Sequence, residues 1–208
     1  MSQPARWIRL DRDAVLAMPA ACRGFARLLG PRDAPVCLWG RPESPARLDD
    51  GLWGGPGEFA FALLVPSLHA PGRRDRWVSW GLSPVVAALR RFGVQAYLDG
   101  STIRLHGERI GGGTAQEING CAAVYGAFPA DAPAPDGGNA GRGKLLEFDP
   151  WLSALNREGR ALRTLAAFRS ALEVQHGWQF DTGWPSEAEQ GAIASVTSDD
   201  NEALKVVL

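Results

Sequence analysis

Apolar positions along the chain fall into short runs cut by glycine and proline, together with longer stretches at helical spacing. The run Glu58 to Val65, EFAFALLV, is almost continuously apolar and is stopped by Pro66. That pattern predicts a strand buried on both faces. Pro35 to Trp39, PVCLW, predicts a shorter strand closed by Gly40 and Pro42. Short strands are expected at Val94–Leu98, Thr102–His106 and Arg109–Ile110, turned at Asp99-Gly100 and Gly107-Glu108; Asp-Gly between alternating runs is a hairpin signal. Cys121–Phe128 predicts one more. Residues 11–29 predict a helical region interrupted at Pro19 and ended by Gly30 and Pro31. Leu82–Phe92 predicts a helix with Ser83 as N-cap, Pro84 at its first position and Gly93 as its stop. A long helix is expected over Glu158–His176, where Leu162, Leu165, Phe168, Ala171 and Leu172 form an apolar stripe, with a short helical piece before it after Asp149 and Pro150.

The intervals between these elements are rich in turn formers. Residues 41–57 predict a loop with Trp53 as its one large anchor. Residues 129–143, PADAPAPDGGNAGRG, predict a flexible loop. Residues 178–208 are mixed and polar, giving one strand from TGWPSEAE (Thr182) onward and a loose tail over about 186–208. The resulting order is helix, strand, loop, strand, helix, a β-meander, a linker and helices. It predicts an α+β domain with a mixed sheet, one domain over residues 1–208, rather than a regular βαβ winding. No GxGxxG or Walker pattern follows a strand, which excludes Rossmann and P-loop readings.

Composition narrows the function classes. The 208 residues are 45% hydrophobic with a formal net charge of −1, so nothing in the charge balance recommends nucleic acid or an anionic membrane as partner. Lys144 and Lys205 are the only lysines, which limits any lysine-dependent chemistry to two positions. Cys22, Cys37 and Cys121 are widely spaced and form no CxxC pair. The N-terminal MSQPARWIRLDRD lacks the apolar core of a signal peptide, and the longest apolar run is too short to span a bilayer. A cytoplasmic location and no bound metal are the expectations.

The candidate chemistry centres on TIRLHGERIGGGTAQE, residues 102–117. Three consecutive glycines beside a strand weaken it entropically, yet they permit positive φ and let backbone N–H groups approach a ligand. A plain flexible hairpin or β-bulge is the other reading of the same residues. This segment resembles the biotin/lipoate protein ligase superfamily, whose pattern is a helix ending in L-x-x-x-G-[IV], an Asn-Asp pair, then strand, turn and G-x-K-[IL]-x-G. LRRFGV at 89–94 resembles the helix end. Ser101 and Thr102 stand where the pair would be, and Gly107-Glu108-Arg109-Ile110-Gly111-Gly112 stands on the glycine–lysine motif. WGGPGEFAFALLVP at 53–66, PVCLWGRPE at 35–43 and INGCAAVYGAF at 118–128 resemble neighbouring family strands.

The resemblance implies a class II aminoacyl-tRNA-synthetase-like, biotin ligase-like fold with a slot for a carboxylate-bearing acyl group. It implies ligand contacts from Arg47, Trp53, Gly54, Gly55, Ser101, Thr102, Ile110, Gly111, Gly112 and Gly113, with Arg109 at the catalytic position. ATP with Mg²⁺, and biotin or lipoate, are implied as cofactors where ligase activity is retained, with a biotinyl or lipoyl carrier domain or another protein as partner. The sequence departs from the pattern in three places. Arg109 replaces the motif lysine, Ser-Thr replaces Asn-Asp, and the Arg-rich Gly loop reduces to ARLDDGLWGGPG, in which Asp49 and Asp50 would repel phosphate. The expectation is therefore a ligase-like protein with lost or altered adenylation; an active ligase or acyltransferase and a non-enzymatic scaffold are the alternatives. Cys121 is either an acyltransferase nucleophile helped by Arg109 or His106, or a small buried apolar residue.

Overall fold

The computed structural model describes residues 2–11, 15–49, 52–130 and 157–206. In chain order its elements are β1 (Gln3–Arg9), α1 (Met18–Leu28), β2 (Val36–Gly40), β3 (Ala46–Asp49), β4 (Leu52–Gly54), β5 (Glu58–Pro66), a 3₁₀ turn at Arg74–Arg76 and α2 (Trp77–Arg91). There follow β6 (Tyr97–Asp99), β7 (Thr102–Leu105), β8 (Glu108–Ile118), β9 (Cys121–Pro129), α3 (Arg157–His176), β10 (Trp178–Gly183) and α4 (Glu187–Val206). Eight strands make one mixed sheet in the order β10-β1-β2-β5-β9-β8-β7-β6, and β3 and β4 form a separate hairpin. β1 is parallel to both of its neighbours, and every other pairing is antiparallel. The architecture is the expected α+β with a mixed sheet.

The apolar run of β5 places it mid-sheet, with side chains buried on both faces. Phe61, Phe128 and Phe168 meet on the face covered by α2 and α3, with ring centroids 4.8 to 5.9 Å apart. The other face packs Leu38, Leu64 and Tyr125 against Phe25 of α1 and Leu48 and Leu52 of the hairpin. Two-residue turns join β7 to β8 and β8 to β9. His106 and Gly107 have φ of 51° and 87°, and Asn119 and Gly120 have 47° and 76°, the left-handed pair that a tight β-hairpin turn requires.

Several expectations are corrected. The helical region over 11–29 is interrupted at Ala17, two residues before Pro19, and Pro19 sits in the first turn of α1, where an N–H has no intrahelical acceptor to lose. α2 starts at Trp77, so Pro84 lies inside the helix and Ser83 is not its cap. The missing Pro84 N–H orphans the Trp80 carbonyl, and the Ser83 hydroxyl donates to that oxygen at 3.1 Å. The loop expected over 41–57 contains the β3–β4 hairpin, and its supposed anchor Trp53 is 57% exposed. Leu162, placed in the apolar stripe of α3, is exposed, while Leu165, Phe168, Ala171 and Leu172 are buried. β1 was not expected. The strand expected from Thr182 onward lies earlier, as β10 over Trp178–Gly183, and the loose tail over about 186–208 is replaced by α4 over Glu187–Val206, which packs Ile193 against Gly24 of α1. Of the loop expected at 129–143, Pro129 ends β9 and Ala130 is buried; the remainder, and the short helical piece after Asp149, lie outside the described residues.

Gly111–Gly113 also form no turn. They run inside β8, and none has a positive φ. Ile103 pairs with Gly111 and Arg104 with Arg109, leaving Ile110 as an extra residue in a β-bulge. The glycines are required by close approach. A Cβ would stand 2.5 Å from the Ala127 carbonyl oxygen at Gly111, 2.9 Å from that of Ser101 at Gly112 and 2.4 Å from that of Tyr125 at Gly113.

Candidate functional site

A cavity of about 330 Å³ opens between the β3–β4 hairpin and the sheet, lined by Trp53, Glu58, Arg109, Ile110, Gly111, Gly112 and Ala127. The register explains its floor. Ala60, Ala127 and Gly112 lie directly across from one another on β5, β9 and β8, so this row carries no side chain larger than a methyl group. The Arg109 guanidinium stands over the floor, its Nη2 3.5 Å from where a Cβ on Gly112 would lie. Among the described residues no hydrogen bond or ion pair holds the Arg109 guanidinium. The Glu58 carboxylate is already engaged, since it accepts the Gly55 N–H at 2.7 Å. The cavity thus presents one uncommitted cation, an exposed indole and a glycine floor.

A second, larger groove of about 1000 Å³ lies at the carboxyl ends of the three parallel strands, where Arg9, Trp39 and Trp184 line it beside Arg41 and Glu158. Arg41 donates to Glu158 at 2.6 Å, Arg9 lies 5.7 Å from the Trp39 ring centroid, and the Trp39 Nε1 is buried without a hydrogen-bond partner. Sequence reasoning missed this groove. Its residues follow immediately on strand ends, and two of those strands, β1 and β10, were not recognised as a parallel pair.

No protein-family model and no curated protein matches the chain. Solved structures do. A T. acidophilum protein with bound lipoic acid superposes with a TM-score of 0.65 over 96% of both chains at 13% identity. A structure of an archaeal lipoylation system from Thermoplasma acidophilum, comprising a bi-partite lipoate protein ligase and its E2 lipoyl domain, gives 0.64 over 93% of this chain and 92% of that one, at 11% identity. The biotin acetyl coenzyme A carboxylase synthetase of Helicobacter pylori with bound biotinylated ATP gives 0.52 over 83% and 75%, at 14% identity. The chain has the fold of the biotin and lipoate protein ligases.

On this ligase-like fold the residues singled out in the sequence divide into two groups. Trp53, Arg109, Ile110, Gly111 and Gly112 border the cavity together. The rest stand elsewhere. Arg47 is exposed on β3, paired in register with Trp53. Gly54 is buried against Leu48 and Ala60, and Gly55 donates to Glu58. Ser101 accepts the Gly113 N–H through its carbonyl at 2.8 Å, Thr102 pairs with Gly112, and Gly113 faces Leu82 of α2.

The cysteine alternative fails on geometry. Cys121 begins β9, six residues from Ala127, or about 20 Å along a strand. Burial pushes its thiol up, and pushes those of Cys22, to about 12, and Cys37 up as well, outweighing Arg23 near Cys22 and Arg169 near Cys37; thiols buried in apolar surroundings are inert. Among the described residues no three His, Cys, Asp or Glu side chains cluster as a metal site, and the cavity's single Arg and single Glu supply too little positive charge for a triphosphate. The described residues that line this cavity do not fit Mg²⁺-ATP. No helix among the described residues is long and apolar enough to cross a membrane.

Proposed function

We propose that the protein binds a carboxylate-bearing acyl ligand in the Arg109 cavity and does not adenylate it. The observation that carries this reading is the uncommitted Arg109 guanidinium above the Gly112–Ala127 floor. A planar guanidinium meets a carboxylate through two parallel hydrogen bonds, and the bare floor lets the attached chain lie flat against the sheet. The bound lipoic acid and biotinylated ATP in structures of the same fold support a carboxylate or acyl ligand on this scaffold. The replaced lysine, the Ser101-Thr102 pair and the acidic Asp49 in the Gly loop support loss of the adenylation step. A biotinyl or lipoyl carrier domain is the protein partner that fits this reading, and the archaeal ligase structure that includes a lipoyl domain supports it.

Titration calorimetry with a panel of carboxylates running from acetate to octanoate, lipoate and biotin tests the reading. Binding of at least one is expected, and Arg109→Ala weakens it by about tenfold or more, as loss of a charge-assisted hydrogen bond costs about 1.5–3 kcal/mol. Heat from none of them sinks the proposal. Binding that survives Arg109→Ala undiminished removes Arg109 from it.

A further inference from the structure

The Arg109 cavity is bordered by two opposite charges that do not meet. Arg109 borders it from β8 and Glu58 from β5, and Ala127 of β9 lines the space between them. Among the described residues the Arg109 guanidinium has no anion against it. Glu58 has no cation against it either. Its Oε2 accepts the Gly55 N–H at 2.7 Å, and its Oε1 has no partner among the described residues.

The sheet register shows what keeps the two apart. Glu58 lies two residues before Ala60, so it stands on the same face as the row of Ala60, Ala127 and Gly112. The Arg109 Nη2 stands over Gly112, at the far end of that row. β5 and β8 are two strand spacings apart, about 10 Å. The bond from Gly55 holds the Glu58 carboxylate on its own side. A molecule laid across the strands from Arg109 passes Gly112 and Ala127 and comes up beside Glu58.

We propose that the cavity recognises ω-amino carboxylic acids, with Arg109 taking the carboxylate and Glu58 Oε1 the ammonium at the other end. The inference rests on the carboxylate-binding reading above and adds the second end of the ligand. Two strand spacings suit a straight chain of about four to six carbons. Such a ligand answers both charges at once. A plain fatty acid answers only Arg109 and lays its apolar end beside a carboxylate. The Trp53 indole borders the same space, and an ammonium gains from an aromatic face as well.

Titration calorimetry near neutral pH, pairing ω-aminobutanoate, ω-aminopentanoate and ω-aminohexanoate each with the plain acid of the same length, tests this on the wild-type protein. At least one amino acid is expected to bind about fivefold more tightly than its plain partner, the size of effect that a partly exposed ion pair supports. Its ω-acetamido derivative, which keeps the chain and removes the charge, is expected to lose that gain. Glu58→Gln keeps a side-chain oxygen for the Gly55 N–H, and it is expected to abolish the difference between amino and plain acid. Plain acids that bind as tightly as every amino acid overturn the inference and leave the carboxylate reading standing. So does a preference that persists in Glu58→Gln. No heat from any acid, amino or plain, overturns both.

Discussion

Gly113 shows what a single hydrogen atom in place of a methyl group does for this sheet. A Cβ at that position would lie 2.4 Å from the Tyr125 carbonyl oxygen and 2.9 Å from Leu82 Cδ2. The first obstacle is backbone in the paired strand, which cannot rotate away, and the second belongs to the helix packed on it. Gly113→Ala is expected to cost about 1–3 kcal/mol as an overpacking change, read as a lowered urea midpoint at unchanged slope. Gly183→Ala, where nothing lies within 4 Å, is the control and stays within about 0.5 kcal/mol. Equal destabilisation by both would mean that glycine freedom, not close approach, explains the triplet. The sequence marked these glycines as needing a cause, but it could not distinguish a ligand cradle from tight strand and helix packing. Positive φ and steric exclusion leave the same letter, and only the register separates them: Gly112 faces the cavity, whereas Gly113 faces Leu82.

At the scale of elements, the end of α3 makes the clearest prediction about pH. His176 stacks on Trp80 with ring centroids 4.1 Å apart and contacts Trp178 at 4.8 Å, and its Nε2 is buried with no partner. Burial lowers its pKa from 6.5 to about 4, against a smaller opposing effect of the Gln175 backbone. A helix C-terminus favours a cation by about 0.3–1 kcal/mol, up to about 2 kcal/mol when partly buried; here desolvation outweighs it. The unfolded chain takes up a proton below about pH 6.5 and the folded protein only near pH 4. Stability is therefore full above that window and falls as the pH drops through it, by on the order of 2–3 kcal/mol. Glu189 acts lower still. Burial alone would raise its pKa, but hydrogen bonds from Arg6 and Ser186 hold it below the usual value. Melting temperatures between pH 7 and 4.5 should fall in the wild type and flatten in His176→Phe; parallel curves would remove His176 as the cause. His176 itself was readable only as a helix end. The strands around it explain why. β5, β2 and β9 were legible because continuous apolar runs have one reading, and α3 because its stripe is long. β1 and β10 were not, because a short strand carrying Arg6, Gln179 and Asp181 has no continuous apolar run, and their pairing joins residues 3–8 to 178–183. α2 began about two turns earlier than its Ser-Pro signal, and the Ser83 hydroxyl satisfies the carbonyl that Pro84 abandons.

The whole molecule combines a ligase-like fold with a cavity that has few charges among its described lining residues. Fold and site were legible to different depths for a physical reason. The order of strands, hairpin and glycine-rich segment is fixed by burial, and burial survives replacement of the reactive side chains. Reaction depends on a few charges, and those are what differ here. Among the described residues the cavity holds Arg109 and Glu58 and no second cation. Arg47 lies on the exposed face of β3, and Asp49 on the same strand is tied to Gln116. An ATP-dependent adenylation must neutralise a triphosphate and the charge developing at the attacked phosphorus, and removing even one preorganised donor from such a site typically costs a factor of about 10²–10³ in rate. On the proposed reading, three altered positions at once lower the rate by the product of such factors. Wild-type protein with lipoate, octanoate or biotin is therefore expected to catalyse no pyrophosphate exchange into ATP. The sharper case is Arg109→Lys, which restores the motif lysine alone. If that one residue were what the reaction lacked, exchange would appear in the variant. On the charge pattern described here it does not, because a lone ammonium beside Glu58 leaves the triphosphate as poorly balanced as before. Exchange activity in Arg109→Lys above a catalyst-free control would show that the scaffold has kept a nucleotide site which its charges do not reveal.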